Sequence, residues 1–341
     1  MMTIEIDFTY AIDGFYHSVN YYRSDAPMDI DSMPAPTATD INGLTFLDTT
    51  AEENKRYYVR FGSVRGDIEK VSHEIIIHTF SNPIFALYKN GELGFWYDIQ
   101  DLSKLFQDDA GTIPVTAAGQ KVGRINDKSG NGWHLTQSVD NKKPVLGFNE
   151  GKYYLIFNGT STFMSVSNTN FGSSVSFSLF IAQKKLQDGS SRMLLERSSQ
   201  AESNNGSFNI IAPGSSGVRK YAALLGFIKP VSMLNDATVA YTENPAYSAP
   251  NFSSIYSKYR IKDESLHASV KLFVNKVLVE FTEESKPSAS NNFGNHNMYL
   301  GARSGSSLFY NGHIYEIAGV ARLCTQSEEQ EVQGHMMNYS I

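Results

Sequence analysis

The sequence predicts an all-β protein: two antiparallel sandwiches in series, followed by one short C-terminal helix. Three observations predict it. Aromatic residues make up 12% of the 341 residues (21 Phe, 19 Tyr) and charged residues only 19%, a bias that suits pleated, half-buried surfaces. Apolar stretches are short and bounded by Gly-, Ser- and Asn-rich turns, the pattern of strands rather than helices. The chain also exceeds the ~250–300 residues at which single cores stop growing, so two domains are expected.

The elements follow in order. Residues 3–10 alternate, with Ile4, Ile6 and Phe8 against Glu5, Asp7 and Thr9, the period-2 mark of a half-buried strand. A second strand covers 15–23, and 24–43 reads as a turn-rich loop with three prolines. Strands at 44–48, 55–64 and 68–79 complete a small antiparallel sandwich. Gly66, in the Arg65-Gly66-Asp67 tripeptide, supplies the hairpin turn between the last two. Residues 81–92, punctuated by Pro83 and Asn90-Gly91, form a linker. Beyond it, strands at 153–157, 175–183, 208–211, 270–274, 277–281, 298–301 and 314–318 alternate with polar loops at 198–207, 212–217, 285–295 and 303–307. That is the pattern of a large two-sheet sandwich or jelly roll. Thr325 and Ser327 are candidate N-caps of the final helix, with Glu328 and Gln330 each three residues on. The predicted domains are 1–80 and 93–341.

Several function classes drop out. Net charge is −6 and no run of Lys or Arg exceeds two residues, so no nucleic-acid surface is expected. The longest apolar stretch, near 221–228, is far below the ~20 residues that span a bilayer, so no membrane insertion is expected. The first ten residues carry acids where an export signal carries bases. A single cysteine, Cys324, excludes a disulfide framework and a Cys-based zinc site.

Two resemblances sharpen this reading. NYYRSDAP at 20–27 and GLTFLDTTAEENKRYYVRFGSVRGDIEKVS at 43–72 resemble the fibronectin type III family, which implies that Tyr57 or Tyr58 is its corner tyrosine. The family's usual early tryptophan is missing. The loop DKSGNGWH at 127–134, followed in order by segments 152–166, 175–184, 271–281, 297–303 and 311–322, resembles the concanavalin A-like lectin/glucanase superfamily over 93–338. Within it, GELGFWYDIQDLSKLFQDDAGTIPVTAAGQKVGRINDKSGNGWHLTQ at 91–137 is similar to the opening of such domains in tailed-bacteriophage proteins. The resemblance implies a virion structural protein associated with the tail, assembled in the host cytoplasm. Its implied partners are other virion proteins, further copies of itself and a host cell-surface glycan.

The residues argue against chemistry. Where the superfamily carries a second Asn and two acids, this chain has Trp133, Asn158 and Thr162, which removes the charged oxygens calcium requires; no metal and no cofactor are expected. Glycosidases on this fold place paired carboxylates on one strand face, and no such array occurs. Asp98, Asp101, Asp108 and Asp109 read as turn and cap residues. No Gly-x-Ser-x-Gly elbow occurs, Cys324 reads as a small buried hydrophobe, and the histidines are scattered. No catalytic residue is assigned. Sugar binding needs an aromatic face beside amide and polar groups, which selects Trp133 with Asn131 and His134, and secondarily Tyr310 and Asn311. The competing role for Trp133 is to plug the sandwich end or anchor a neighbouring subunit. The function expected is non-enzymatic adhesion or subunit contact. The alternatives are a head-decoration or neck protein whose lectin fold is purely an interaction surface, and a tail-borne glycan hydrolase.

Overall fold

The structure, a computed structural model, describes residues 3–12, 14, 16–52, 55–79, 82–198, 206–214, 218–228, 235–261, 269–283 and 292–340. Phe15, His267 and much of the polar loops at 198–207, 212–217 and 285–295 lie outside these described residues. The chain divides into two compact units, Met1–Phe85 and Ala86–Ile341. Both are built from antiparallel strands.

In the first unit, Thr3–Thr9 pairs with Thr45–Glu52 as a two-stranded sheet. The facing sheet runs in the order Ala38–Ile41, Ser18–Ser24, Arg56–Arg65, with Ile68–Val71 and Ile75–His78 in succession along the last strand. Between the sheets lie Phe8, Val19, Tyr21, Ala51, Tyr57, Val59 and Phe61. Tyr57, not Tyr58, is the buried member of its pair, and its hydroxyl accepts the Glu52 backbone N–H at 2.9 Å. Two expectations are corrected. The loop at 24–43 contains the short strand Ala38–Ile41. The strand expected over 68–79 is broken at 72–74, where the Ser72 hydroxyl accepts the Phe61 N–H at 3.0 Å and donates to His73 O. That side chain takes over ladder bonding and kinks the strand.

The second unit is a sandwich of two large sheets. One runs Phe281–Glu283, Asn235–Thr242, Tyr221–Ile228, Phe208–Ile211, Met193–Ser198, Asn295–Leu300, Met164–Asn170, Leu135–Thr136, Arg124–Ile125, Leu105–Phe106. The other runs Val145–Asn149, Lys152–Asn158, Asn311–Val320, Ser176–Lys185, Asn251–Arg260, Ser269–Val274, Val277–Leu278. Gly94–Asp98 joins it beside residues 316–320. Alternation sorts the side chains. Leu155, Phe157, Leu179, Ile181, Ile255, Tyr259, Ile314 and Ile317 enter the core between the sheets, so Tyr154, Ile156, Phe180, Lys184, Phe252 and Tyr256 face outward.

Helix Gln326–Met337 packs on that outer face against Ser176–Lys185 and Asn251–Arg260, burying Val332, Gln333 and Met336. Thr325 begins it with the expected capping box: its hydroxyl accepts Glu328 N–H, and Glu328 accepts Thr325 N–H. Glu328 also receives Arg322, and these contacts hold its carboxyl down at about 2.

A buried arginine fixes one end of the sandwich. Arg197, fully buried, donates to Thr169 Oγ1 and O (2.9 and 2.6 Å), Phe293 O (2.9 Å) and Gly294 O (2.8 Å). Its guanidinium lies 4.1 Å from the Phe171 ring centre. Burial pulls its pKa down to about 9, which leaves it charged at neutral pH. It thus clamps strand Met164–Asn170 to residues 293–294 through acceptors that would otherwise be dry.

Candidate functional site

The loop singled out by sequence is a structural bracket. Asp127 accepts N–H groups from Trp96 (2.9 Å), Ser129 (2.9 Å) and Trp133 (3.1 Å). Asn131 donates its amide to Glu92 O and Gly94 O. His134 Nδ1 accepts Asp127 N–H at 3.0 Å, and burial lowers its pKa. The Trp133 ring is half-buried against the core, 5.5 Å from the Phe171 ring, and its carbonyl accepts the Tyr97 hydroxyl at 2.6 Å. Trp133 thus packs against the core at the end of the sandwich and keeps part of its ring exposed.

Tyr310 and Asn311 lie elsewhere. Tyr97 pairs with Ile317, whereas Asn311 begins the same strand, about 20 Å away by the rise per residue. Tyr310 is fully buried and donates to Gln183 Oε1, while Gln183 donates to the Tyr221 hydroxyl at 2.8 Å. It offers no face to a ligand, which corrects the sequence expectation. Asn311 is half-buried and donates to Gln187 Oε1 at 2.9 Å. The five residues do not form one site.

Titratable groups converge instead on the outer face of the sheet. Asp98 and Glu316 are direct partners across the antiparallel pair. Glu316, fully buried, accepts Trp96 Nε1 (2.7 Å) and the Tyr339 hydroxyl (2.8 Å), and meets His335 Nε2 at 2.6 Å. Asp98 is held by Lys128 at 2.8 Å, and Lys128 reaches Asp101 at 3.0 Å. Burial first, and then the charge of Glu316, raise the Asp98 pKa; Lys128 opposes them. Burial together with Glu316 keeps Tyr339 protonated far above its usual range. Two facing carboxylates are what a glycosidase requires; here Glu316 is fully buried and Asp98 nearly so. The C-terminal His335 and Tyr339 cover them, so the network fastens the chain end to the sheet.

An open surface lies beside this network. Val145, Ile156, His313, Lys184 and Phe252 are consecutive cross-strand partners over five strands. All five are partly buried and partly exposed, as Trp133 is, and share the outer face. Strands spaced about 4.8 Å apart make this row roughly 19 Å long. Tyr154 stacks on His313 with ring centres 4.2 Å apart and planes 22° apart. Burial, and then Lys184, lower the His313 pKa to about 4, so the imidazole is neutral at pH 7. The row is thus apolar and aromatic, with one cation, Lys184, between His313 and Phe252.

The depressed pKa has a measurable consequence. Between pH 6.5 and 4 the unfolded chain takes a proton on His313 that the folded chain refuses. Its contribution to stability is complete above pH 6.5 and is lost progressively as pH falls towards 4. His313→Gln is expected to flatten that limb of a plot of Tm against pH relative to the parent chain. An unchanged slope would show that His313 titrates normally.

Sequence reasoning missed this row because its members come from five separated segments. One trace was legible: in KYYLIFN at 152–158 apolar residues occupy both phases of the alternation, which marks a strand with two apolar faces.

No family model matches the chain, and no curated protein does. Solved structures do. An arabinofuranosidase complexed with arabinofuranosyl-alpha-1,2-xylobiose matches at 12% identity and TM-score 0.47, covering 75% of this chain and 64% of that one. The receptor-binding domain of botulinum neurotoxin type G matches at 13% and 0.39, covering 63% and 49%. Domain 4 of AbnA, an extracellular arabinanase from Geobacillus stearothermophilus, solved with arabinotriose, matches at 14% and 0.44, covering 71% and 97%. The chain spans less than two thirds of the first two. Similarity this low assigns no ligand and no activity to this chain.

Proposed function

We infer that the chain is a non-catalytic adhesion component whose second unit holds an extended glycan along the outer row from Val145 to Phe252. The observation that carries this reading is the row itself: five partners in register, each partly exposed, four of them apolar or aromatic, with Lys184 between His313 and Phe252. The apolar faces of sugar rings pack on such side chains, and polar groups along the strip orient them. Lys184 favours a glycan bearing a carboxylate. The sealed state of Asp98 and Glu316 supports binding without turnover.

The likeness of residues 91–137 to tailed-phage domains supports placing the protein in a virion, at the tail or its adsorption apparatus. Many copies on one particle would turn weak single sites into firm attachment. The fibronectin-like character of the first unit belongs to the same proposal, supported by the Tyr57 hydroxyl on upstream backbone.

The test is incubation of concentrated full-length protein with acidic and neutral bacterial polysaccharides. Co-sedimentation with an acidic polymer and no release of reducing ends is the expected result. Release of reducing ends would establish the hydrolase alternative. Absence of binding to every polymer, by protein multimerised on beads, would leave the sandwich as a virion contact surface and contradict the proposal.

A further inference from the structure

The first unit is unequal in its two sheets. Thr3–Thr9 pairs with Thr45–Glu52 along one edge only, and Ile68–Val71 and Ile75–His78 have Arg56–Arg65 as their only strand partner among the described residues. A trough opens beside the end of Thr3–Thr9, where Phe8 and Thr9 line it and Tyr10–Ile12 continue it, and beside Lys70, Val71 and Ile75. Its first compartment, about 350 Å³, is floored by Phe8, Val19, Phe61, Val71 and Ile75. Its second, about 310 Å³, is lined by Tyr16, Arg65 and Ile68, and the two share Ile12, Ser63 and Lys70. No residue of Thr45–Glu52 lines either compartment, so the trough lies on the unpaired side of Thr3–Thr9.

Its dimensions are those of a strand. It runs from the level of Val59, which pairs with Ile75, to Arg65, which pairs with Ile68. Six steps of strand rise make this roughly 20 Å. The core is incompletely covered along it, with Ile75 47% and Ile68 68% exposed. A free backbone edge beside an apolar floor is the arrangement that binds extended peptides by β-augmentation.

Charge selects the occupant. Both charged residues lining the trough, Lys70 and Arg65, are cationic. A second copy offering its own Thr3–Thr9 edge in the antiparallel register centred on residue 7 would bring its exposed Asp7 against this one's, and like charges facing each other across strands are unfavourable. We propose that the trough receives an extended segment of a partner protein, paired with the free backbone edge at Phe8 and Thr9, with apolar side chains at alternate positions on Phe8, Val19 and Phe61 and an acidic side chain at Lys70. This inference is independent of the glycan-binding row, which lies in the other unit.

The test uses the full-length chain and two fluorescein-labelled peptides, Val-Thr-Val-Thr-Val-Thr-Glu and its reverse, because strand direction is left to the experiment. One of them is expected to bind at least about tenfold more tightly than its counterpart with Lys in place of Glu. Lys70→Glu, at an exposed position, is expected to reverse that preference. N-methylation of the residues in one alternating phase should weaken binding about tenfold or more, and in the other phase hardly at all, because only one phase donates to the edge. Absence of binding by both peptides, an unreversed preference, or equal effects of the two methylation phases would overturn the proposal. So would a concentration-dependent dimer in sedimentation that Lys70→Glu dissociates, since the occupant would then be a second copy.

Discussion

Replacing Glu316 by alanine is expected to destabilise the second unit by about 3–5 kcal/mol, the usual cost of removing one partner from a buried charged network. The Trp96 indole N–H and the Tyr339 hydroxyl would lose the acceptor they share, and His335 would lose its contact with the sheet. Each buried donor left unmet costs roughly 1–3 kcal/mol. Relief of Asp98 offsets part of this, because the charge of Glu316 is one of the causes that raise the Asp98 pKa. Glu316→Gln keeps a carbonyl acceptor and should cost less than half as much. Both tryptophans, Trp96 and Trp133, lie in the second unit, so denaturant unfolding followed by their fluorescence reports that unit alone. A loss below about 1 kcal/mol for the alanine variant, the worth of one ordinary hydrogen bond, would mean that the network does not fasten the helix and C-terminus.

Arg197→Met is expected to cost about 4 kcal/mol by the same assay, placing it among the largest single-residue effects in a protein of this kind. Two terms oppose each other. Removing a cation with no carboxylate among its hydrogen-bond partners recovers the desolvation that folding imposes on it. Against that, four short charge-assisted bonds vanish and the acceptors of Thr169, Phe293 and Gly294 are left dry. Bonds of this type are worth about 1.5–3 kcal/mol each, so four of them outweigh the recovered desolvation. Arg197→Lys should fall between, because one ammonium cannot span Thr169 and residues 293–294 together. Parent-like stability in the methionine variant would show that burying the cation costs as much as its bonds return.

Much of the architecture was legible in the sequence because the determinants are local. The alternation at 3–10 forms the strand Thr3–Thr9, and the Thr325–Glu328 spacing is a capping box that begins a helix one residue later. Asp101 caps the short turn at Leu102–Lys104, as read from its position. Cys324 is buried, and desolvation pushes its thiol up to about 12, in keeping with a small hydrophobe. What sequence could not show is register. Trp133 has the composition of a sugar platform, but Phe171 packs on its ring and the Tyr97 hydroxyl holds its carbonyl, both from distant segments of the chain. Asp98 and Glu316 are 218 positions apart in sequence and adjacent in the sheet. His313 is one scattered histidine until Ile156 and Lys184 are set beside it. Strand pairing across long sequence separations decides which faces remain open, and no local pattern encodes it.

The central claim is that the outer row of the second unit is the ligand surface. The most direct measurement is a glycan array probed with bead-multimerised full-length protein, comparing the parent with Tyr154→Ala, Lys184→Gln and Asn131→Ala. Tyr154 and Lys184 sit on the outer face, so losing either should lower retention on acidic glycans by about tenfold, on the order of 1.4 kcal/mol. Asn131→Ala, in the bracket loop, should leave the pattern of bound glycans unchanged. If Asn131→Ala alters that pattern while Tyr154→Ala and Lys184→Gln do not, the loop is the ligand site and the account of the outer row is wrong.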